Sequence, residues 1–71
     1  MKTGTIKFFD AQRGFGFVAQ ADGGPDLFLH VTDVRRPPRA VLAQGDLVEY
    51  ETGEGKKGPK AINVSLLSQQ S

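Results

Sequence analysis

The sequence predicts an all-β fold in which five short antiparallel strands close into a barrel. Runs rich in β-branched and aromatic residues alternate with Gly, Pro, Asp and Asn clusters, and no stretch sustains helical periodicity. In a chain of 71 residues, five short strands cannot bury both faces of a flat sheet. Closure gives them one shared interior and removes most unpaired edges.

The first strand is expected from Thr3 to Asp10 and the second from Gly14 to Gln20, after a short Ala-Gln-Arg connection. Asp22-Gly23-Gly24-Pro25 suits a chain reversal, since glycine tolerates positive φ and proline fixes its own. The third strand runs from Asp26 to Val31. The basic segment that follows contains Pro37-Pro38, which lack the ladder donor, so it reads as a loop. A fourth strand is expected from Asp46 to Thr52, with Val48 and Tyr50 on one face and Glu49 and Glu51 on the other. Gly53 to Pro59 reads as a mobile basic loop. The fifth strand, Lys60 to Leu66, sets Ile62, Val64 and Leu66 against Ala61, Asn63 and Ser65. One domain is expected over residues 1–66, with 67–71 as a frayed tail. Its core should hold Ile6, Phe9, Val18, Leu27, Leu29, Val48, Tyr50, Ile62 and Val64.

Composition narrows the chemistry. With no cysteine and one histidine, His30, the chain offers no disulfide, thiolate zinc site, cysteine nucleophile or histidine-rich metal site, and no metal or cofactor is expected. A start at Met1 and the lack of a long apolar run lead to the expectation of one whole cytosolic domain without a membrane segment. Nine Lys and Arg against eight Asp and Glu leave a formal charge of +1, so bulk charge does not announce a polyanionic partner. Acids gather at Asp46, Glu49, Glu51 and Glu54, and bases at Arg35, Arg36 and Arg39 and at Lys56, Lys57 and Lys60. On charge alone, both clusters read as solvated loops.

The informative segment is Arg13-Gly14-Phe15-Gly16-Phe17-Val18. Period-two alternation puts Phe15 and Phe17 on one face, and burial of phenylalanine is ordinarily favourable, so the simplest reading makes both core. Two features oppose it. Val18 lies on the glycine side, and glycines fit a narrow barrel wall. In the third strand Leu27, Leu29 and Val31 share one face, leaving Phe28 and His30 on the other. If the aliphatic faces form the core, Phe15, Phe17, Phe28 and His30 stand side by side in water, as binding patches do. Rings beside Lys7, Arg13, Lys57 and Lys60 suit single-stranded nucleic acid, whose unstacked bases stack on rings while cations attract phosphates. Duplex suits them poorly, because its bases are already stacked and its code lies in grooves.

These residues resemble the bacterial cold-shock proteins. The resemblance runs ungapped from Gly4 to Val64 and is strongest at Lys7-Phe8-Phe9-Asp10, Arg13 to Val18, Asp26-Leu27-Phe28-Leu29-His30, Gly58-Pro59 and Asn63-Val64. RNA-recognition domains share the Arg13 to Val18 motif but continue with an aromatic where this chain has Gln20, and they need two helices. The resemblance implies a five-stranded OB-type barrel and a surface built from Lys7, Phe8, Phe15, Phe17, Phe28 and His30, with Arg13, Asp26, Lys57 and Lys60 at its margins. Asp26 would also accept hydrogen bonds from base edges. Alternation from Ile6 would turn Phe8 inward, so its place on that surface requires a local bulge or twist.

The chain departs from the family at three ring positions, with Phe8 for the usual tryptophan, Val31 for phenylalanine and Arg39 for an aromatic. Each base stacked on an aromatic is worth about 1 to 3 kcal/mol. Arg39 compensates in part, because a guanidinium stacks on bases and reaches phosphate. The expectation is weaker and more salt-dependent binding than typical members show.

His30 reads as a ring platform ahead of a structural histidine, and last as a catalytic base, because no nucleophile or orienting partner is legible. No enzymatic activity is expected. Asp10, Asp26 and Asp33 fit turns and strand ends. Gly53 to Gly58 lacks the spacing of a phosphate loop. The function expected is passive capture of single-stranded RNA or DNA. The resemblance implies RNA chaperoning, transcription antitermination or translation control in the cytoplasm. The rival class is a protein-interaction module that uses the same patch for a peptide or for itself. A monomer is expected, with domain swapping through the Thr32 to Ala43 connection as the alternative.

Overall fold

Residues 1–36, 42–56 and 58–68 are described by the structure, a computed structural model. The strands among the described residues are β1 (Lys2–Asp10), β2 (Phe15–Gln20), β3 (Leu27–His30), β4 (Val34–Arg36), β5 (Leu47–Gly55) and β6 (Gly58–Ser68), with a 3-10 turn at Val31–Asp33. Their order in the sheet is β3-β2-β1-β5-β6-β4, and an additional parallel pairing of β3 with β6 closes it on itself. The closed ring therefore has five strands, β1, β2, β3, β6 and β5, as the sequence predicts. β4 lies outside that ring, paired parallel to β6 through Val34 and Val64.

Alternation sets the interior. Ile6, Val18, Leu27, Leu29, Val48, Tyr50 and Val64 are buried, and Phe9 packs partly buried against them. The wall is narrow where glycine stands in it. A Cβ on Gly16 would run into the Phe8 carbonyl oxygen and come within 2.9 Å of the Phe9 Cα, so the missing side chain lets β1 and β2 pass closely while Phe9 covers the gap. Asp46 is buried too, and its carboxylate accepts the Ala43 N–H at 2.9 Å. The same turn is tied to β1 by Gly45 N–H to the Ile6 carbonyl (2.8 Å) and Ile6 N–H to the Asp46 carbonyl (2.9 Å).

Four expectations need correction. Ile62 is only half-buried and Ala61 takes its place in the core. The cause is Asn63, whose φ of 52° is left-handed. Between the pairs Glu49↔Ser65 and Glu51↔Ile62, β6 spends three steps where β5 spends two, so the extra residue resets the phase and turns both Ala61 and Val64 inward. Second, Gly53 to Pro59 is not an open loop. Glu54 pairs with Pro59 and Gly55 with Gly58 in a tight hairpin, and Gly58 carries the positive φ of 116° at its return. Third, the segment after β3 is not all loop, since it holds the 3-10 turn and β4. Fourth, Leu42, from the same connection, is buried in the core.

Candidate nucleic-acid interface

The ring-bearing surface depends on a bulge in β1. Ile6 pairs with Val18 and Phe8 with Phe17, so β1 advances two residues while β2 advances one. The irregularity falls at Lys7 and flips Phe8 to the same side as Phe17, which plain alternation would forbid. Phe8 is 44% exposed and Phe17 36%. Phe15 and Phe28 are half-buried, as is His30. Opposite these rings, through the same strands, Val18, Leu27 and Leu29 are almost wholly buried. The rings are outside and the aliphatic residues are within.

The register of β2 and β3 sets Phe17 across from Phe28 and Phe15 across from His30. The rings consequently form one contiguous array. Phe8 meets Phe15 edge-on at 5.9 Å and Phe17 meets Phe28 edge-on at 5.9 Å, while Phe15 and Phe28 stack at 6.0 Å with 20° between planes. Phe28 reaches His30 at 6.4 Å. These separations lie in the range of favourable aromatic pairs, so the platforms brace one another before any ligand arrives. His30 is also held from its own side. Its Nδ1 accepts the Thr32 N–H at 3.2 Å and lies 2.9 Å from the Thr32 hydroxyl, which leaves the proton of the neutral ring on Nε2.

Three of the cations bordering the array are paired. Lys7 Nζ donates to Asp26 Oδ2 at 2.6 Å, Arg13 Nε lies 3.7 Å from Asp10 Oδ2, and Lys60 Nζ lies 3.4 Å from Asp33 Oδ2. Asp10 is also fixed by accepting the Gln12 and Arg13 N–H groups at 3.1 and 3.2 Å. Each pair is exposed or half-exposed, a setting in which ion pairs are weak and exchange readily with a phosphate. Arg39 and Lys57, also expected at this surface, lie outside the described residues. Sequence reasoning did not place Pro25 and Pro59, which line a shallow groove with Phe15, Phe17, Asp26 and Phe28. Gly58-Pro59 carried a signal only through the family resemblance.

The turn carrying Asp26 is anchored from the core. Tyr50 Oη donates to Gln20 Oε1 at 3.1 Å, and Gln20 Nε2 donates to the Pro25 carbonyl at 2.8 Å. Nearby, the Gly24 N–H and then the Lys2 ammonium hold the Asp22 carboxyl below the usual carboxylate range, which marks a well-formed turn. Among the described residues, no group of His, Asp and Glu is placed to hold a metal ion.

With this geometry in place, comparison with known proteins gives the family. The 'Cold-shock' DNA-binding domain matches residues 2–67. The chain belongs to the cold-shock domain family. It is similar to Cold shock protein ScoF of Streptomyces coelicolor, 40% identical over 65 residues that cover 92% of this chain and 97% of the relative. Probable cold shock protein A of Mycolicibacterium smegmatis is 42% identical over 67 residues, 94% of this chain and 100% of the relative. Cold shock-like protein CspB of Yersinia pestis is 43% identical over 65 residues, 92% and 93% of the two chains. Cold-shock domains bind nucleic acid and are not enzymes, and this cold-shock domain is accordingly a binding protein. No helix among the described residues is long and apolar enough to cross a membrane.

Proposed function

We propose that this cold-shock domain binds single-stranded RNA and DNA by stacking successive bases on Phe8, Phe15, Phe17, Phe28 and His30. The observation that carries this reading is the continuity of the array: neighbouring rings lie 5.9 to 6.5 Å apart on one face. Every base has a π-face, so such a surface accepts any unpaired sequence. Lys7 and Arg13 stand beside the rings to meet phosphates, with Arg39 and Lys57 proposed in the same role from sequence, and Lys60 stands at the far end of the array as a further polar contact. A single copy carries the whole array, so a monomer suffices.

The mechanism is passive. Capturing exposed bases favours the unpaired strand over the hairpin by mass action, with no nucleotide hydrolysis. A protein with this property serves as an RNA chaperone, or as a regulator of transcription or translation, in the cytoplasm. Titration of a labelled oligothymidine or oligouridine, followed by fluorescence anisotropy, tests the reading. Saturable binding that is weakened in Phe15→Ala and in Phe28→Ala, with the β-sheet circular dichroism retained, supports it. No binding at low salt overturns it in favour of a protein-interaction surface.

A further inference from the structure

The array ends, beyond Phe28, in a second cavity of about 280 Å³ lined by Phe28, His30, Thr32, Asp33 and Lys60, with the exposed Lys56 at its edge. It is brought together by the closure of the barrel, because Lys60 on β6 lies across from Phe28 on β3 and Asp33 follows in the 3-10 turn. Asp33 and Lys60 are the most sheltered of the ion pairs at this surface, with side chains 23% and 32% exposed. The Lys60 ammonium meets one carboxylate oxygen, Oδ2, at 3.4 Å. Oδ1 has no hydrogen-bond partner among the described residues. Beside a ring platform, the pair thus presents a donor, an acceptor and a second acceptor in that order.

Resting on the stacking reading above, we infer that this cavity is a guanine-selecting subsite, with Asp33 and Lys60 reading the Watson–Crick edge of a base stacked at Phe28 and His30. The complement of donor, acceptor, acceptor is acceptor, donor, donor. Guanine carries that order in O6, N1–H and the N2 amino group, so the lysine meets O6 while the two carboxylate oxygens take the two donors. Uracil and thymine place a second carbonyl oxygen against Oδ1. Cytosine and adenine each offer one exocyclic amino group followed by a ring acceptor, which leaves one carboxylate oxygen facing an acceptor or nothing. Because an unstacked base exposes this edge, the selection operates on single strands only.

The test uses labelled oligothymidine in which one guanine is moved through each position in turn, with inosine substituted at the best position. One register should bind at least about fivefold tighter than oligothymidine, the lower end of what a bidentate base contact supplies. Inosine, which lacks the N2 amino group, should lose most of that gain. In Asp33→Asn, and separately in Lys60→Met, the guanine-to-thymine affinity ratio should fall towards one. Binding of every oligonucleotide without a guanine preference, or a preference that survives Asp33→Asn, overturns this inference and leaves the stacking reading standing. Failure of oligothymidine itself to bind overturns both.

Discussion

Tyr50, wholly buried in the barrel, donates its hydroxyl to Gln20 at 3.1 Å, and through Gln20 the core is joined to the turn that carries Asp26. Burial, and after it the Asp22 carboxylate, pushes the Tyr50 phenol above its ordinary value of 10.0. A phenol whose folded pKa lies above its unfolded one adds stability that is fully present below the unfolded value and is lost as pH rises through the folded one. Unfolding free energy should accordingly be flat through neutral pH and fall above pH 10. Tyr50 is the only tyrosine and there is no tryptophan, so phenolate absorbance reports this group alone. Tyr50→Phe should remove the alkaline dependence and cost about 1 kcal/mol at neutral pH.

Phe15 and Phe28 form the stacked pair at the centre of the array. Replacing either with alanine should weaken binding of oligothymidine by about 5- to 150-fold, the equivalent of one stacked base. Anisotropy titrations on proteins checked by circular dichroism measure it. Phe8 offers the reciprocal test. At 44% exposure it has room for a larger ring, and Phe8→Trp should tighten binding while giving the protein an intrinsic fluorophore for the same titration.

Salt separates the charged contacts from the stacked ones. Log affinity should fall linearly with log salt, with a slope of about −0.7 per phosphate engaged on a single strand. Lys7→Gln should make that slope shallower by about 0.7, whereas Phe15→Ala should lower affinity at every salt concentration without changing the slope. A flat plot for the parent protein would remove the phosphate contacts from the mechanism.

Much of this is legible in the sequence, and the parts that are not share a cause. Val18, Leu27, Leu29, Val48 and Tyr50 stand in strands with unbroken period-two alternation, so their inward direction follows from sequence, and with it the outward direction of Phe15, Phe17 and Phe28. Alternation fails where a strand gains a residue. The bulge at Lys7 turns Phe8 outward, and only the family resemblance anticipated that. The bulge at Asn63 exchanges Ile62 for Ala61 in the core. β4 was missed because Val34-Arg35-Arg36 is short, basic and followed by two prolines, and its parallel pairing with β6 leaves no local trace. The meeting of Asp33 with Lys60 is likewise a product of barrel closure. Asp33 read from sequence as a turn residue, and nothing near it announces a lysine from the far side of the chain.

Asn63 is where that phase error can be measured. Its φ of 52° lies in the region that asparagine tolerates and most residues with a Cβ resist, at a cost of about 1 to 2 kcal/mol. Asn63→Ala should destabilise the fold by about 1 kcal/mol, and a β-branched Asn63→Val by more. Asn63→Gly should be close to neutral, because glycine enters the left-handed region freely while losing more entropy on folding. Urea denaturation gives the ranking Gly, Ala, Val from most to least stable, which inverts the usual order of strand propensity. Were valine at this position to prove the most stable of the three, β6 would run without its extra residue. Ile62 would then return to the core in place of Ala61.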